Sequence, residues 1–128
     1  MLRILVIEDS AVNMALTAGI LANAGHQVLQ AEYAIEGIDI ARAQQPDLVL
    51  MDMYLPDIDG LNATRMLKAD PLTAHIPVIA VTASAMQGDE DDFRAAGCDG
   101  FVAKPIRYKE FLIVLDAIEV RRATTAPH

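Results

Sequence analysis

Short apolar runs alternate along the chain with longer segments whose apolar residues recur every three or four positions. The apolar runs predict five β-strands, at residues 3–8, 27–32, 47–52, 77–82 and 99–103. The segments that follow them predict five helices, the last of which is strongly amphipathic, with Tyr108, Phe111, Val114, Leu115 and Ile118 at helical spacing. Strands and helices that alternate with short connections indicate a doubly wound α/β domain, a parallel sheet with helices on both faces.

The apolar spacing also predicts which side of a helix is buried. In the first helix, capped by Asp9 or Ser10, the predicted apolar face consists of Val12, Leu16 and Ile20. The fourth helix, over 85–96, has the weakest pattern. Met86 and Phe93 share a face, but a glycine and a run of acidic residues interrupt it.

Polar side chains follow four of the five predicted strands, at the point where each strand ends. They are Glu8 and Asp9 after the first strand, Asp52 at the end of the third, Thr82 at the end of the fourth and Lys104 after the fifth. Open α/β sheets bind ligands at the carboxyl ends of their strands, so we expect these residues to form one pocket with Asp52 as its reacting group. The four ends meet only if the second strand lies outside them. This predicts the flavodoxin-like strand order 2-1-3-4-5 in a three-layer α/β/α domain.

Composition narrows the class of protein further. The chain has 128 residues, enough for one domain over 1–122 with a short tail, 123–128, and 53% of its residues are hydrophobic. A net charge of −8 argues against direct binding to nucleic acid. No apolar run approaches the roughly 18 residues of a membrane helix. The single cysteine, Cys98, cannot form an internal disulfide, which favours a reducing cytoplasm.

The expected pocket has the chemistry of phosphoryl transfer. Three carboxylates, from Glu8, Asp9 and Asp52, repel one another unless a cation lies between them, and a hard divalent ion such as Mg²⁺ binds oxygen ligands and shares its shell with phosphate. Lys104 adds a positive charge and Thr82 a hydroxyl donor. Asp52 could then attack phosphorus and become an aspartyl phosphate, while the other groups neutralise the phosphoryl oxygens.

These motifs resemble those of the receiver domains of two-component response regulators, and among them the single-domain receivers of bacterial cell-cycle and polarity pathways. The resemblance extends from residue 3 to about 121. Its carriers, in order, are Glu8-Asp9, Leu50-Met51-Asp52 with Leu55-Pro56 and Gly60, Val81-Thr82-Ala83, and Lys104-Pro105.

The resemblance implies a role for each residue of the pocket. Asp52 is the phosphoacceptor, and the metal is Mg²⁺, for which Mn²⁺ can substitute. Its implied ligands are Asp9, Asp52 and the backbone carbonyl of Tyr54, with Glu8 acting through water. Thr82 and Lys104 bind phosphoryl oxygens, and Lys104-Pro105 is expected to be a cis peptide.

The resemblance also implies a switch and its partners. A phosphoryl group adds charge and acceptor oxygens that can draw Thr82 toward it, and Phe101 then turns into the vacated space. The phosphoryl donor is expected to be a histidine kinase or a histidine phosphotransfer protein. A downstream protein target is expected to bind the fourth helix, fifth strand and fifth helix, with the chain a monomer or a weak phosphorylation-dependent dimer.

Other functions remain open at this stage. The same fold could serve as a phosphorylation-independent interaction module, or the chain could be a receiver excised from a hybrid kinase, although Met1 just before the first strand and the brief tail favour a whole protein. An aspartyl-phosphate hydrolase would need a second acid near the nucleophile, and position 54 is Tyr rather than Asp. We therefore expect a signalling switch that catalyses only its own phosphorylation and dephosphorylation.

Several further residues receive structural interpretations. Asp57 and Asp59 are interpreted as turn residues leading to Gly60, and Cys98 as a packing residue. The acidic run Asp89–Asp92 is interpreted as a solvated helix face, with partner recognition as the alternative. The spacing of His26, His75 and His128 predicts no metal site. The resemblance implies that Tyr54 and Ser84 flank the path of the water that hydrolyses the acyl phosphate, and the bulky Tyr54 is expected to shield the acyl phosphate from it.

Overall fold

Five strands form one parallel sheet in the computed structural model, which describes residues 2–82, 87–103, 109 and 111–117, with the backbone alone for 87–90. The strands are β1 (Arg3–Ile7), β2 (Gln27–Ala31), β3 (Leu48–Asp52), β4 (Val78–Thr82) and β5 (Gly100–Ala103). Their order in the sheet is β2-β1-β3-β4-β5, as the sequence predicted. β2, the most polar strand, lies at an edge, and the switch point between β1 and β3 opens at the carboxyl ends of the strands.

Helices follow the strands in strict alternation. They are α1 (Ala11–Asn23), α2 (Ala34–Gln44), α3 (Gly60–Ala69), α4 (Gln87–Ala96) and the described part of α5, residues 111–117. The predicted strand bounds were one residue too long at one end in every strand. The predicted glycine stops are confirmed, because Gly25 and Gly97 follow α1 and α4 with φ of 88° and 104°. Among the described residues, none of the helices is long and apolar enough to cross a membrane.

The core consists of two apolar layers, one on each face of the sheet. Alternate residues of each strand point to opposite faces, so that Leu5 and Met51 pack against α2, α3 and α4 while Val6 and Leu50 pack against α1 and α5. Every residue of β3 and β4 is buried. A strand that is buried on both faces reads as a continuous apolar run, which is why these two strands were readily predicted.

The predicted inner face of α1 was wrong for Val12 and Leu16, whereas its third residue, Ile20, is partly buried and packs against the core. Val12 and Leu16 are 78% and 49% exposed, and the residues that α1 buries are Met14, Thr17 and Leu21. At about 100° per residue, the buried stripe is rotated by roughly 130° from the predicted one. Apolar residues occur nearly all round this helix, so their spacing alone did not determine which side faces the sheet. Val12 and Leu16 therefore form an exposed apolar strip on α1.

The predicted amphipathic pattern of α5 agrees with the structure where it can be compared. Phe111 and Leu115 are fully buried and Val114 is partly buried against the same core layer. Tyr108 and Ile118 lie outside the described residues, as does Met86 of the predicted fourth helix. Phe93 of α4 is buried, in agreement with its predicted position on the inner face.

Candidate metal and phosphoryl site

Three carboxylates meet where β1 and β3 end. Each of Glu8, Asp9 and Asp52 offers an oxygen, and these oxygens all lie within 4.8 Å of one another. The parallel pairing of Ile7 with Met51 brings the ends of the two strands side by side, and the acids directly follow. Glu8 and Asp52 are buried, with 5% and 3% exposure, whereas Asp9 is exposed. We call this group the acid trio.

Backbone N–H groups orient the two buried acids. The N–H of Tyr54 donates to Oδ1 of Asp52 at 3.1 Å, and the N–H of Ser10 donates to Oε1 of Glu8 at 3.2 Å. Each donor lies two residues after the acid, so the turn that ends the strand also restrains the carboxylate. Ser10 has a second role, because its hydroxyl accepts from the N–H of Asn13 and caps α1.

The acid trio suits a hard divalent cation. Carboxylate oxygens are preferred ligands of Mg²⁺, and two oxygens bound directly to one Mg²⁺ lie at most about 4.2 Å apart. Oxygens within 4.8 Å of one another fit a site in which one acid acts through water or moves slightly. Bringing three negative charges together is unfavourable without a counter-charge, and a cation would remove that cost.

A cavity of about 590 Å³ opens beside the acid trio, between α1 and the start of α2. Four carboxylate residues line it, together with Tyr33 and Met14: Glu8, Asp9, Glu32 and Glu36. The concentration of negative charge at this opening favours the approach of cations.

Gly60 holds the loop after Asp52 close to the site. The N–H of Gly60 donates to the carbonyl of Met53 at 3.0 Å, and the N–H of Met53 donates to the carbonyl of Val81 at 3.1 Å. A Cβ atom on Gly60 would lie 2.5 Å from the carbonyl oxygen of Asp52 and 2.7 Å from the Cα of Met53. The first residue of α3 therefore touches the backbone of the expected phosphoacceptor, which only glycine permits.

Tyr54 stands at the edge of the site with a side chain that is 68% exposed. A cavity of about 170 Å³ lies beside it, lined by Met53, Tyr54, Asp59, Leu61, Thr82, Asp92 and Phe93. The expected water-shielding tyrosine and the expected switch threonine therefore line the same small cavity, and α4 forms its other wall.

Thr82 and Phe101 lie on neighbouring strands. Thr82 is 1% exposed and follows Val81, the residue that pairs with Asp52, so it ends the strand adjacent to β3. Phe101 pairs with Ala80 and is partly buried, and its ring centroid lies 6.1 Å from that of Phe93 on α4. The pair of phenylalanines connects β5 to α4 directly.

The fifth strand ends at Ala103, which pairs with Thr82. Lys104, the expected cis peptide Lys104-Pro105, and Ser84 lie outside the described residues. The structure thus brings together the three acids and places Thr82 on the strand next to Asp52. The position of the lysine stays a prediction.

Asp57 and Asp59 do more than form a turn. Asp59 is the N-cap of α3 and accepts from the N–H of Asn62 at 2.8 Å. Asp57 accepts from the N–H groups of Ala34 and Ile35, at 2.9 and 3.0 Å, and so caps α2. An acid just before a helix is a recognisable local signal for the first role. No local signal exists for the second, because 23 residues separate Asp57 from Ala34.

The remaining candidates have structural surroundings. Nδ1 of His26 accepts from the N–H of Leu2 at 3.0 Å. Cys98 is buried against the hydroxyl of Thr64, and burial raises the pKa of its thiol. Asp91 and Asp92 are exposed, in agreement with a solvated face on α4.

The sequence pattern of the response regulator receiver domain matches residues 4–116 of the chain. The chain is also 41% identical, over 109 residues, to the polar-differentiation response regulator DivK of Brucella anthropi. That match covers 85% of this chain and 89% of the relative. DivK of Brucella abortus matches to the same extent.

Two solved structures superpose closely on the chain. The receiver domain of the sensor histidine kinase PA1611 from Pseudomonas aeruginosa superposes with a TM-score of 0.84 and is 34% identical, with 91% of this chain and 95% of that one covered. It has a magnesium ion coordinated in its active-site cleft. The chemotaxis protein CheY4 of Vibrio cholerae superposes with a TM-score of 0.86 at 20% identity, over 92% of this chain and 98% of that one, which shows the shared fold.

Proposed function

The chain belongs to the response regulator receiver domain family of two-component systems, and from that premise we propose that it is a phosphorylation switch. Asp52 accepts a phosphoryl group from a histidine kinase or a histidine phosphotransfer protein in a Mg²⁺-dependent reaction. The phosphorylated chain then binds a downstream protein target. The observation that carries this proposal is the acid trio, two buried carboxylates and one exposed, gathered at the switch point of the sheet.

The metal ligands in this proposal are Asp9, Asp52 and the backbone carbonyl of Tyr54, with Glu8 acting through water. Mg²⁺ fits the all-oxygen donors, Mn²⁺ can substitute, and the magnesium in the receiver domain of PA1611 supports the assignment. When bound, the ion neutralises negative charge on the phosphoryl group and the carboxylates. Burial of Glu8 and Asp52 strengthens their interaction with a cation, because water screens it less.

The chemical step is an in-line displacement at phosphorus. A carboxylate oxygen of Asp52 forms the new P–O bond while the P–N bond to the donor histidine breaks, and the imidazole nitrogen takes the electron pair. Its hydrogen bond from Tyr54 holds the Asp52 carboxylate in one orientation, which lowers the entropic cost of reaching the transition state. In this proposal Thr82 and Lys104 donate hydrogen bonds to the phosphoryl oxygens that accumulate charge.

The exposed strip on α1 supports docking of a protein donor. A phosphohistidine must reach Asp52 through the mouth of the site, so the donor has to contact the residues around that mouth. Val12 and Leu16 lie on the helix that begins two residues after Asp9, and the exposed Tyr54 lies two residues after Asp52, in the loop between β3 and α3. Exposed apolar residues at the rim of a polar site are typical of a protein-binding surface.

The proposed output runs from Thr82 to α4, β5 and α5. Thr82 and Phe93 line the same small cavity, and the Phe93 ring contacts Phe101. Movement of Thr82 toward a phosphoryl group would change the packing beneath α4 and give Phe101 space to turn inward. Shifting a two-state population a hundredfold takes about 2.8 kcal/mol, which a few charge-assisted hydrogen bonds can supply.

A mass measurement tests the proposal. The protein is incubated with acetyl phosphate and Mg²⁺ and its intact mass is recorded, for the wild type, for Asp52→Asn and for Asp91→Asn as a matched control on α4. We expect one phosphoryl group on the wild type and on Asp91→Asn, and none on Asp52→Asn or with EDTA. Phosphorylation of Asp52→Asn to the wild-type extent would contradict the proposal.

Two further experiments separate this function from the alternatives. A phosphorylation-independent interaction module would bind its target equally well as wild type and as Asp52→Ala, whereas a switch requires Asp52. A hydrolase would turn over phosphomonoesters repeatedly with Mg²⁺, whereas a switch would not. We further propose that residues 1–122 form the functional unit, acting in the cytoplasm as a monomer or a weak phosphorylation-dependent dimer.

A further inference from the structure

Helix α2 begins without a side-chain cap of its own. Its N-cap residue is Tyr33, in an extended conformation, and Tyr33 makes no capping hydrogen bond. The first N–H groups of a helix have no partner within the helix, so an acceptor from elsewhere is needed. Asp57 supplies it with both oxygens, Oδ1 to the N–H of Ala34 at 2.9 Å and Oδ2 to the N–H of Ile35 at 3.0 Å. The negative carboxylate also interacts favourably with the positive end of the helix dipole.

Asp57 belongs to the loop that follows the expected phosphoacceptor. This loop, residues 53–59, connects β3 to α3. One end is fixed where Tyr54 donates to Asp52, and the other where Asp59 caps α3. Leu55 and Ile58 pack partly against the core. Asp57 adds a polar attachment in the middle of the loop, to a different part of the chain.

We propose that Asp57 is a positioning residue of the phosphorylation site: by its double hydrogen bond to α2 it fixes the loop that presents the Tyr54 carbonyl to the metal. The inference rests on the proposed function, since it assumes a metal at the acid trio.

The segment between Tyr54 and Asp57 is short and stiff. Two residues intervene, and the second is Pro56, which fixes its own φ and restricts Leu55. Three residue steps span at most about 11 Å. A shift of Asp57 away from α2 therefore displaces the Tyr54 carbonyl, because so little chain is available to absorb the movement.

The other end of the contact also borders the site. Tyr33 and Glu36, at the start of α2, line the same cavity as Glu8 and Asp9. Glu36 accepts from the N–H of Glu32 at 2.9 Å, which holds the turn before α2. Asp57 thus joins the two walls of the metal site, the loop after β3 and the turn after β2.

The charge state of Asp57 supports this role. Desolvation acts to raise the pKa of its carboxyl, but hydrogen bonds from backbone N–H groups, the largest of them from Ile35 and Ala34, together outweigh it and leave the pKa below the usual 3.8. The carboxylate is therefore ionised at neutral pH and accepts both hydrogen bonds in its stronger, charged form.

A purely structural cap would behave differently from a positioning residue. Loss of a cap lowers the stability of the fold and leaves its metal affinity unchanged. Asp47 provides a matched control, because its carboxylate also accepts from a distant backbone N–H, that of Arg3 at 2.8 Å. Asp47 directly precedes β3 and therefore lies at the opposite end of that strand from Asp52.

The experiment measures the affinity of the unphosphorylated protein for Mg²⁺ by NMR titration, together with urea unfolding, for wild type, Asp57→Ala, Asp57→Asn and Asp47→Ala. We expect Asp57→Ala to weaken Mg²⁺ binding about tenfold, as loss of residues supporting metal ligands does. The Mg²⁺ affinity of Asp57→Asn, which keeps one acceptor oxygen, should lie between those of Asp57→Ala and the wild type. Asp47→Ala should lose stability but keep the wild-type affinity.

Hydrogen exchange of the Ala34 and Ile35 amides gives a second readout. Mg²⁺ should slow their exchange in the wild type and not in Asp57→Ala, because the contact through Asp57 couples the two sites. Equal Mg²⁺ affinity in the wild type and both Asp57 variants would overturn the inference and leave the proposed function standing. Absence of Mg²⁺ binding by the wild type would overturn both. Should Asp57→Ala fail to fold, Asp57→Asn carries the test.

Discussion

Gly60 and Asp52 approach so closely that a methyl group has no place between them: a Cβ on Gly60 would lie 2.5 Å from the Asp52 carbonyl oxygen. Gly60→Ala must therefore move either α3 or the backbone of the phosphoacceptor. We expect a loss of about 1–3 kcal/mol in the free energy of unfolding, as for other overpacked sites, together with slower phosphorylation by acetyl phosphate.

Gly19, in α1, is the matched control for this substitution. Nothing lies within 4 Å of a Cβ at Gly19, so Gly19→Ala should stabilise the protein by about 0.5–1 kcal/mol through helix propensity. Urea unfolding of both variants gives the comparison. Equal stabilisation by the two alanines would show that the tight contact at Gly60 is absent in solution.

The exposed strip on α1 should be needed for phosphoryl transfer from a protein donor and not for transfer from a small-molecule donor. Val12→Gln with Leu16→Gln should slow phosphoryl transfer from a phosphorylated histidine phosphotransfer protein at least tenfold at sub-saturating donor, since apolar contact area is lost. Acetyl phosphate should phosphorylate the double variant at the wild-type rate. Ile113→Gln, at an apolar residue of α5 that is 68% exposed, is the control. A donor rate unaffected by the α1 substitutions would place the docking surface elsewhere.

Tyr54 should protect the acyl phosphate. Its exposed side chain stands at the edge of the site, where it can restrict the approach of water. Tyr54→Asn should shorten the lifetime of the phosphoprotein several-fold, and Tyr54→Phe, which keeps the ring, should not. The measurement is loss of the phosphorylated form by intact mass after removal of acetyl phosphate. A lifetime that is unchanged or longer in Tyr54→Asn counts against shielding.

Capping of α2 by Asp57 should depend on pH in a defined direction. The folded pKa of Asp57 is lowered below 3.8, so its contribution is complete above the unfolded pKa and decreases as pH falls through the folded value. The stability difference between wild type and Asp57→Ala should thus be constant from about pH 5 to 7, at about 1 kcal/mol, and shrink below pH 3.8. Urea unfolding across this range measures it, and a difference that grows on acidification contradicts the capping role.

The sheet was predictable from the sequence because its signals are local and independent. The buried strands ending at Asp52 and Thr82 are continuous apolar runs in the sequence. The requirement that the polar ends of four strands meet then left one strand order. The acid trio followed from the same argument, and its oxygens do lie together. Strand order and site were thus a single inference.

What could not be predicted depends on contacts between distant segments. The orientation of α1 was wrong because apolar residues at Val12 and Leu16 compete with those at Met14 and Leu21, and only packing against the sheet decides between them. The link from Asp57 to α2 joins residues that are 23 positions apart and leaves no periodic signal in the sequence. A neighbouring acid, Asp59, caps its own helix and was recognisable as part of a turn.

The central claim is that Asp52 receives a phosphoryl group with the help of a metal held by the acid trio. The most direct measurement treats the protein with acetyl phosphate and Mg²⁺, reduces any acyl phosphate with borohydride, and locates the resulting homoserine by peptide mass spectrometry. We predict homoserine at position 52 when Mg²⁺ is present and its loss when EDTA is added. Homoserine at another position, or equal labelling of position 52 in EDTA, would contradict the claim.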